Sequence, residues 1–188
     1  DGFWAMSAMP DDSIDFGLNW DYSPTTPNDT QAVASGTFEA AAFSQPVTAL
    51  MPANDDYLAF GCDHAIYQMV GNPAASGQID EITDQVGVIW NAWTRDEYGT
   101  IYFLGPDGLY SLRLGGKTGA RFLKISNRRL DSQFESIDYK QTCARLGWNL
   151  RRRELCVFLT NWADPYTSRA FIWERDSADD GAFHEDSY

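Results

Sequence analysis

The sequence predicts an all-β protein: a β-propeller, or part of one, with about three to four blades of antiparallel strands. Three observations carry this. First, short apolar runs bounded by Gly, Pro, Asn and Asp fill most of the 188 residues, the pattern of many short strands joined by tight turns. Second, one hairpin recurs. Tyr57 to Val70 ("YLAFGCDHAIYQMV") and Ile101 to Leu114 ("IYFLGPDGLYSLRL") each run apolar strand, polar turn, apolar strand, and Tyr67 and Tyr110 stand 43 residues apart. Third, each hairpin has a strand-like segment just upstream. A period of about 40–50 residues with three or four strands per unit is the signature of propeller blades.

The elements follow in order. Residues 1–45 form N-terminal strands or loops, part of a preceding blade. Helical periodicity is poor throughout, and the best helix candidate is the short, Ala-rich Thr37 to Phe43. Residues 46–188 hold three blade-like units, at about 46–90, 91–140 and 141–188. Their upstream strands are Val47 to Ala53, Asn91 to Glu97 and Cys143 to Asn149. The third hairpin is looser: Glu154 to Thr160, a polar loop from Asn161 to Ser168, then Arg169 to Arg175.

The inner strands of a blade are covered on both faces, so they need nearly continuous apolar runs. Tyr57 to Phe60, Ile101 to Leu104 and Leu155 to Leu159 supply them. The next strand out alternates, with Tyr110, Leu112 and Leu114 against Ser111 and Arg113. Tyr67, Tyr110 and Trp173 are the aromatics expected to fill the wedges between diverging blades. Three blades do not close a ring. Further blades, the N-terminal strands or several copies of the chain are expected to complete it, because an open arc exposes a strand edge and an apolar face. The chain begins at Asp1 in mid-pattern, so a fragment or processed product is expected.

Composition narrows the function. Hydrophobic residues make up 44% and aromatics 14%, enough for a packed core. With 27 Asp+Glu against 14 Lys+Arg, the net charge is −13. That disfavours sequence-specific nucleic-acid binding and anionic membranes, which need a positive field. Arg151-Arg152-Arg153 reads as a solvated turn between strands. No apolar stretch nears the ~20 residues of a membrane span, and no signal-peptide pattern is present. Cys62, Cys143 and Cys156 lack metal spacing. Cys143 and Cys156 fall in strand-like runs and read as free thiols, although a hairpin would also allow a disulfide.

No constellation reaches a catalytic or cofactor signature, so no catalytic, cofactor-binding or metal residue is assigned. Cys62-Asp63-His64 could supply ligands, but neighbouring residues point apart and no partner lies at zinc spacing. His184 has no G-x-S-x-G partner motif. The acid pairs Asp11-Asp12, Asp55-Asp56, Asp96-Glu97 and Asp179-Asp180 sit among turn formers and read as turn stabilisers. Asp176 to Gly181 lacks calcium-loop spacing. Gly115 to Gly119 ("GGKTG") lacks the upstream glycine of a phosphate loop, position 111 being Ser, and reads as a loop between blades.

Asn54 to Ile89 carries further pattern. An acidic turn, Asp55-Asp56, precedes the "L-x-F-G-C" strand Leu58 to Cys62. Then come Ile66 to Pro73 ("IYQMVGNP") and Ile79 to Gly87 ("IDEITDQVG"). This order resembles a recurring segment of tailed-bacteriophage virion proteins. The resemblance continues through Gly99 to Leu112, Lys124 to Asp131 and the closing "GAFHEDSY". Upstream, Asp11 to Ser23 is similar to a family stretch, with Leu18-Asn19 intervening. The resemblance covers most of the chain, through short structural motifs. It implies a propeller domain in a phage tail component such as a tail-tube, nozzle or adaptor protein. It also implies a virion location, self-association and other virion proteins as partners; family members are longer, with more blades. The alternatives are a carbohydrate-binding or glycoside-processing propeller that uses acid pairs and exposed aromatics, and a regulatory sensor propeller.

Overall fold

The computed structural model describes residues 4–6, 34–36, 43, 45–54, 57–70, 78–115, 119–174 and 182–186. Strands β1 (Trp4–Met6) and β2 (Ala34–Gly36) pair antiparallel. The first four-stranded sheet comprises β3 (Val47–Pro52), β4 (Tyr57–Cys62), β5 (Ile66–Val70) and β6 (Gln78–Thr83). The second comprises β7 (Trp93–Arg95), β8 (Ile101–Gly105), β9 (Gly108–Arg113) and β10 (Arg121–Lys124). Helix α1 (Arg128–Glu135) follows. The third sheet comprises β11 (Thr142–Asn149), β12 (Glu154–Asn161), β13 (Arg169–Glu174) and β14 (Ala182–Asp186). All three are antiparallel meanders in which each strand pairs with its neighbours in sequence.

The sheets stack face to face. The strand period of two sends Ile101 and Phe103 of β8 into one core with Ala49, Met51 and Ala59 of the first sheet. Tyr102 and Leu104 enter a second core with Leu155, Val157 and Trp173 of the third. Every residue of β8 is therefore buried. Strand β7, first in its sheet, lies against β3 on one side and β11 on the other. Farther out, a wedge of about 890 Å3 lies along β10, with Phe122 and Trp173 in its lining.

The recurring aromatics share an orientation. Tyr67 packs with Phe60 and Phe43 on the face of the first sheet turned away from the second. Tyr110 packs with Phe103 and Phe122 toward the first sheet. Trp173 reaches Tyr102, 5.7 Å away, from the third sheet. Tyr110 and Trp173 each point toward the preceding sheet, and Tyr67 points away from the following one, so equivalent positions keep the same side-chain direction.

Several expectations are corrected. Helix α1 falls within the second blade-like unit, 91–140, where no helix is expected. Asn127 caps it, its side chain accepting from the Leu130 amide, and Leu130 and Phe134 bury one face. Leu130, Phe134 and Ile137 stand at i, i+4 and i+7, a pattern too short for a long window. The segment around "GGKTG" joins β9 to β10 within the second sheet, not two sheets to each other. Strand β12 is buried on one face only: Leu155, Val157 and Leu159 point inward, while Phe158 is 39% exposed. Its outer side also carries Cys156, half-buried beside Phe158. The Asn161 to Ser168 loop holds a single 3-10 turn, Pro165–Thr167. Thr37 to Ala42 of the expected N-terminal helix lie outside the described residues.

Candidate functional site

The residues singled out in the sequence do not converge. Cys62 is buried in β4, and burial, with Asp63 beside it, pushes its thiol up to about 11. Asp63 and His64 are exposed in the β4–β5 turn, where the His64 amide donates to Gln45 Oε1 at 2.7 Å. His184 lies in β14 opposite Ile172. Asp11-Asp12, Asp55-Asp56, Asp179-Asp180 and Asp176 to Gly181 lie outside the described residues. Asp96 stabilises its own turn: its carboxylate accepts from the amides of Tyr98 and Thr100 at 2.9 and 2.8 Å. Glu97 accepts from Trp148 Nε1 at 2.8 Å across two sheets. Arg151 to Arg153 form the exposed β11–β12 turn. Cys143 lies opposite Thr160 and Cys156 opposite Gly147, out of register for a disulfide, and both thiols are free.

A polar network ties α1 to the second sheet. The Lys124 ammonium lies 2.9 Å from Asp107 and 3.0 Å from Asp131. Tyr110 donates its hydroxyl to Asp107 at 2.7 Å, and Ser126 donates to Asp131. Burial pushes the Asp107 carboxyl up, but hydrogen bonds from Tyr110 and Lys124 and the lysine charge outweigh it and hold its pKa low. Burial works against the Lys124 charge, and the two carboxylates outweigh it in turn, raising its pKa. One ammonium is shared by two carboxylates, each of which also accepts from a hydroxyl, so the network's role is to anchor the helix.

A different set of residues meets at one end of the stack. The Val88 amide donates to the Cys62 carbonyl, and the Ile89 amide to that of Leu104. The β6–β7 connection thus straddles the first two sheets. It then turns sharply, the Ala92 amide donating to the Ile89 carbonyl at 2.8 Å. The two central residues, Trp90 and Asn91, have φ of 48° and 64°. Asn tolerates this left-handed backbone, whereas a bulky side chain is strained by it. Trp90 is also 63% exposed.

Opposite lies the connection from α1 to β11. The Asp138 carbonyl accepts from the amides of Gln141 and Thr142, and its carboxylate accepts from the Lys140 amide. Tyr139 donates its hydroxyl to the Phe134 carbonyl, and burial raises its pKa. Trp162, just beyond β12, donates its amide to the Gln141 carbonyl at 2.9 Å and is 72% exposed. Between these elements runs a groove of about 250 Å3 lined by Trp90, Tyr139, Lys140, Gln141, Arg145 and Trp162, among others. A neighbouring depression of about 420 Å3 shares Trp90, Tyr139 and Lys140. Lys140 and Arg145 are exposed and enter no ion pair among the described residues.

The sequence reading names exposed aromatics without locating them. A local signal exists for both. Trp90 precedes Asn91 at a turn, and Trp162 stands among Asn161, Asp164 and Pro165 in a polar loop. No family profile and no curated protein matches this chain.

Proposed function

We infer that the chain is a β-propeller segment acting as a structural part of a bacteriophage tail, assembling with copies of itself and with other virion proteins. The observation that carries the architecture is the asymmetry of the stack. Strand β8 is buried on both faces between neighbouring sheets, whereas β12 is buried on one. Its other face carries Phe158, Cys156 and Arg145 in adjoining register positions. A meander repeat packed this way propagates until a further sheet covers its last face. The virion role rests on the motif resemblance of Leu58 to Gly87. An acidic surface suits a wall past which DNA moves without adhering, because like charges repel.

Multi-angle light scattering with electron microscopy of the purified chain, and antibody detection in purified phage particles, test this reading. Closed or stacked multimers and a signal in the tail are expected. A monomer at every concentration, together with absence from particles, overturns it.

A further inference from the structure

The geometry points to the groove between Trp90 and Trp162 as a binding site for an acidic carbohydrate, a glycan built of uronic-acid residues. Four independent features lead there. Trp90 occupies a backbone conformation that Gly or Asn adopts more readily, and it is 63% exposed. The fold thus gains neither an unstrained turn nor much burial from the indole, and such strain concentrates at functional positions. Trp162, 72% exposed, lines the same groove from a different sheet. Indole faces stack on flat apolar surfaces, and a sugar ring offers its C–H face in this way. Lys140 and Arg145 bring positive charge to the groove in a chain of net charge −13, and such groups make short, strong hydrogen bonds to carboxylates. Gln141 and Thr142 add neutral partners for sugar hydroxyls. The chain-wide negative field weighs against any long polyanion, so the ligand expected is a short uronate whose carboxylates meet Lys140 and Arg145, and the oligothymidylate arm below tests a phosphate backbone.

Arg145 stands opposite Phe158 on the outer face that the assembly reading covers, so the site is that of the unassembled chain, and its test reads ligand binding rather than oligomeric state. The full chain is titrated with hexagalacturonate, with neutral maltohexaose and with a single-stranded oligothymidylate, by tryptophan fluorescence and calorimetry. Hexagalacturonate is expected to bind roughly tenfold more tightly than maltohexaose at low salt, with the preference lost as salt rises. Trp90→Gly and Trp162→Ala each weaken binding roughly tenfold, while Lys140→Gln with Arg145→Gln removes the preference for the acidic sugar. Trp90→Gly keeps the turn, because glycine adopts positive φ readily, so its melting temperature holds or rises while binding falls. Trp162→Ala gives a second reading from an exposed loop. The proposal is overturned by no binding of hexagalacturonate, by binding that survives both tryptophan substitutions, by equal binding of maltohexaose, or by tighter binding of oligothymidylate.

Discussion

Gly87 lies so close to the β4–β5 turn that a methyl group on its α-carbon would sit 2.1 Å from the Cys62 carbonyl oxygen. That same carbonyl accepts from the Val88 amide at 2.8 Å. Val88 in turn fills the space over Gly61, where a Cβ would meet its Cγ2 at 2.5 Å. Two glycines at motif positions thus let one connection cross the first sheet and reach the second. Their physical role is close backbone approach.

Gly87→Ala is therefore expected to destabilise the protein by about 1–3 kcal/mol or more, because the obstructing atoms are backbone and cannot swing away. Gly147→Ala is the control: its Cβ would meet only Phe158, at 4.0 Å. Removing a glycine from an unobstructed position stabilises by about 0.4–1 kcal/mol. Urea titration of both variants checks this. Equal stability of the two would remove the close-approach argument.

Trp148 joins the second and third sheets in two ways. Its indole stacks on Tyr102 at 5.3 Å with the rings 7° from parallel, and its Nε1–H donates to Glu97 at 2.8 Å. Trp148→Ala loses both, at about 2 kcal/mol or more. Trp148→Phe keeps a stacked ring and loses only the hydrogen bond, about 0.5–1.5 kcal/mol. Thermal melts of the two variants should fall in that order; a Phe variant as unstable as the Ala variant rules out stacking as the larger contribution.

The Lys124 network makes stability pH-dependent in a defined direction. The Asp107 carboxyl has a lowered pKa in the fold. Its contribution is present above the ordinary carboxylate value of about 4 and fades as pH falls through the lower folded value. Lys124 is raised, so its contribution holds below about 10.4 and fades as pH rises beyond that. Because the Asp107 side chain is 42% exposed, the pair is worth only about 0.2–1 kcal/mol. Lys124→Met should cost that much at neutral pH and less in acid. A deficit that stays constant down to full carboxyl protonation argues against the charge pairing.

Legibility in the sequence followed the physics of each segment. Strand β8 was plain, because burial on both faces forces an uninterrupted apolar run between an acidic turn and Gly105-Pro106. Strand β9 was plain because, past the fully buried Leu109, Ser111 and Arg113 alternate with the buried Tyr110 and Leu112. Helix α1 was hidden because its burial rests on Leu130 and Phe134 and its start on the Asn127 side chain, which is too little periodicity for a window search. The groove was hidden for another reason. Trp90 and Trp162 stand 72 residues apart, and only the stacking of sheets brings their loops together. Neither period nor spacing encodes that meeting.

Cys62 supplies a kinetic prediction. Its thiol is fully buried in β4, with a pKa of about 11. The thiolate is the reacting form, so burial and the raised pKa both protect it. Cys143 is half-buried on β11. Timed iodoacetamide labelling near pH 8, read by mass spectrometry, should mark Cys143 first and leave Cys62 unmodified until the chain unfolds. Labelling of Cys62 at the Cys143 rate in folded protein contradicts the packing described for β4.

The one-sidedness of β12 can be read in paired substitutions. Phe103 is fully buried between the first two sheets, and Phe103→Ala should cost about 3–5 kcal/mol. Phe158, one strand position from two core residues, is 39% exposed, so Phe158→Ser should change the stability of the isolated chain by less than about 1 kcal/mol. If the outer face of β12 seats a further sheet on assembly, the same substitution should sharply weaken association, since apolar burial drives such contacts. Denaturation and sedimentation on the two variants separate the effects. Should Phe158→Ser unfold the chain as Phe103→Ala does, both faces of β12 are covered in the isolated chain and the open end of the stack lies elsewhere.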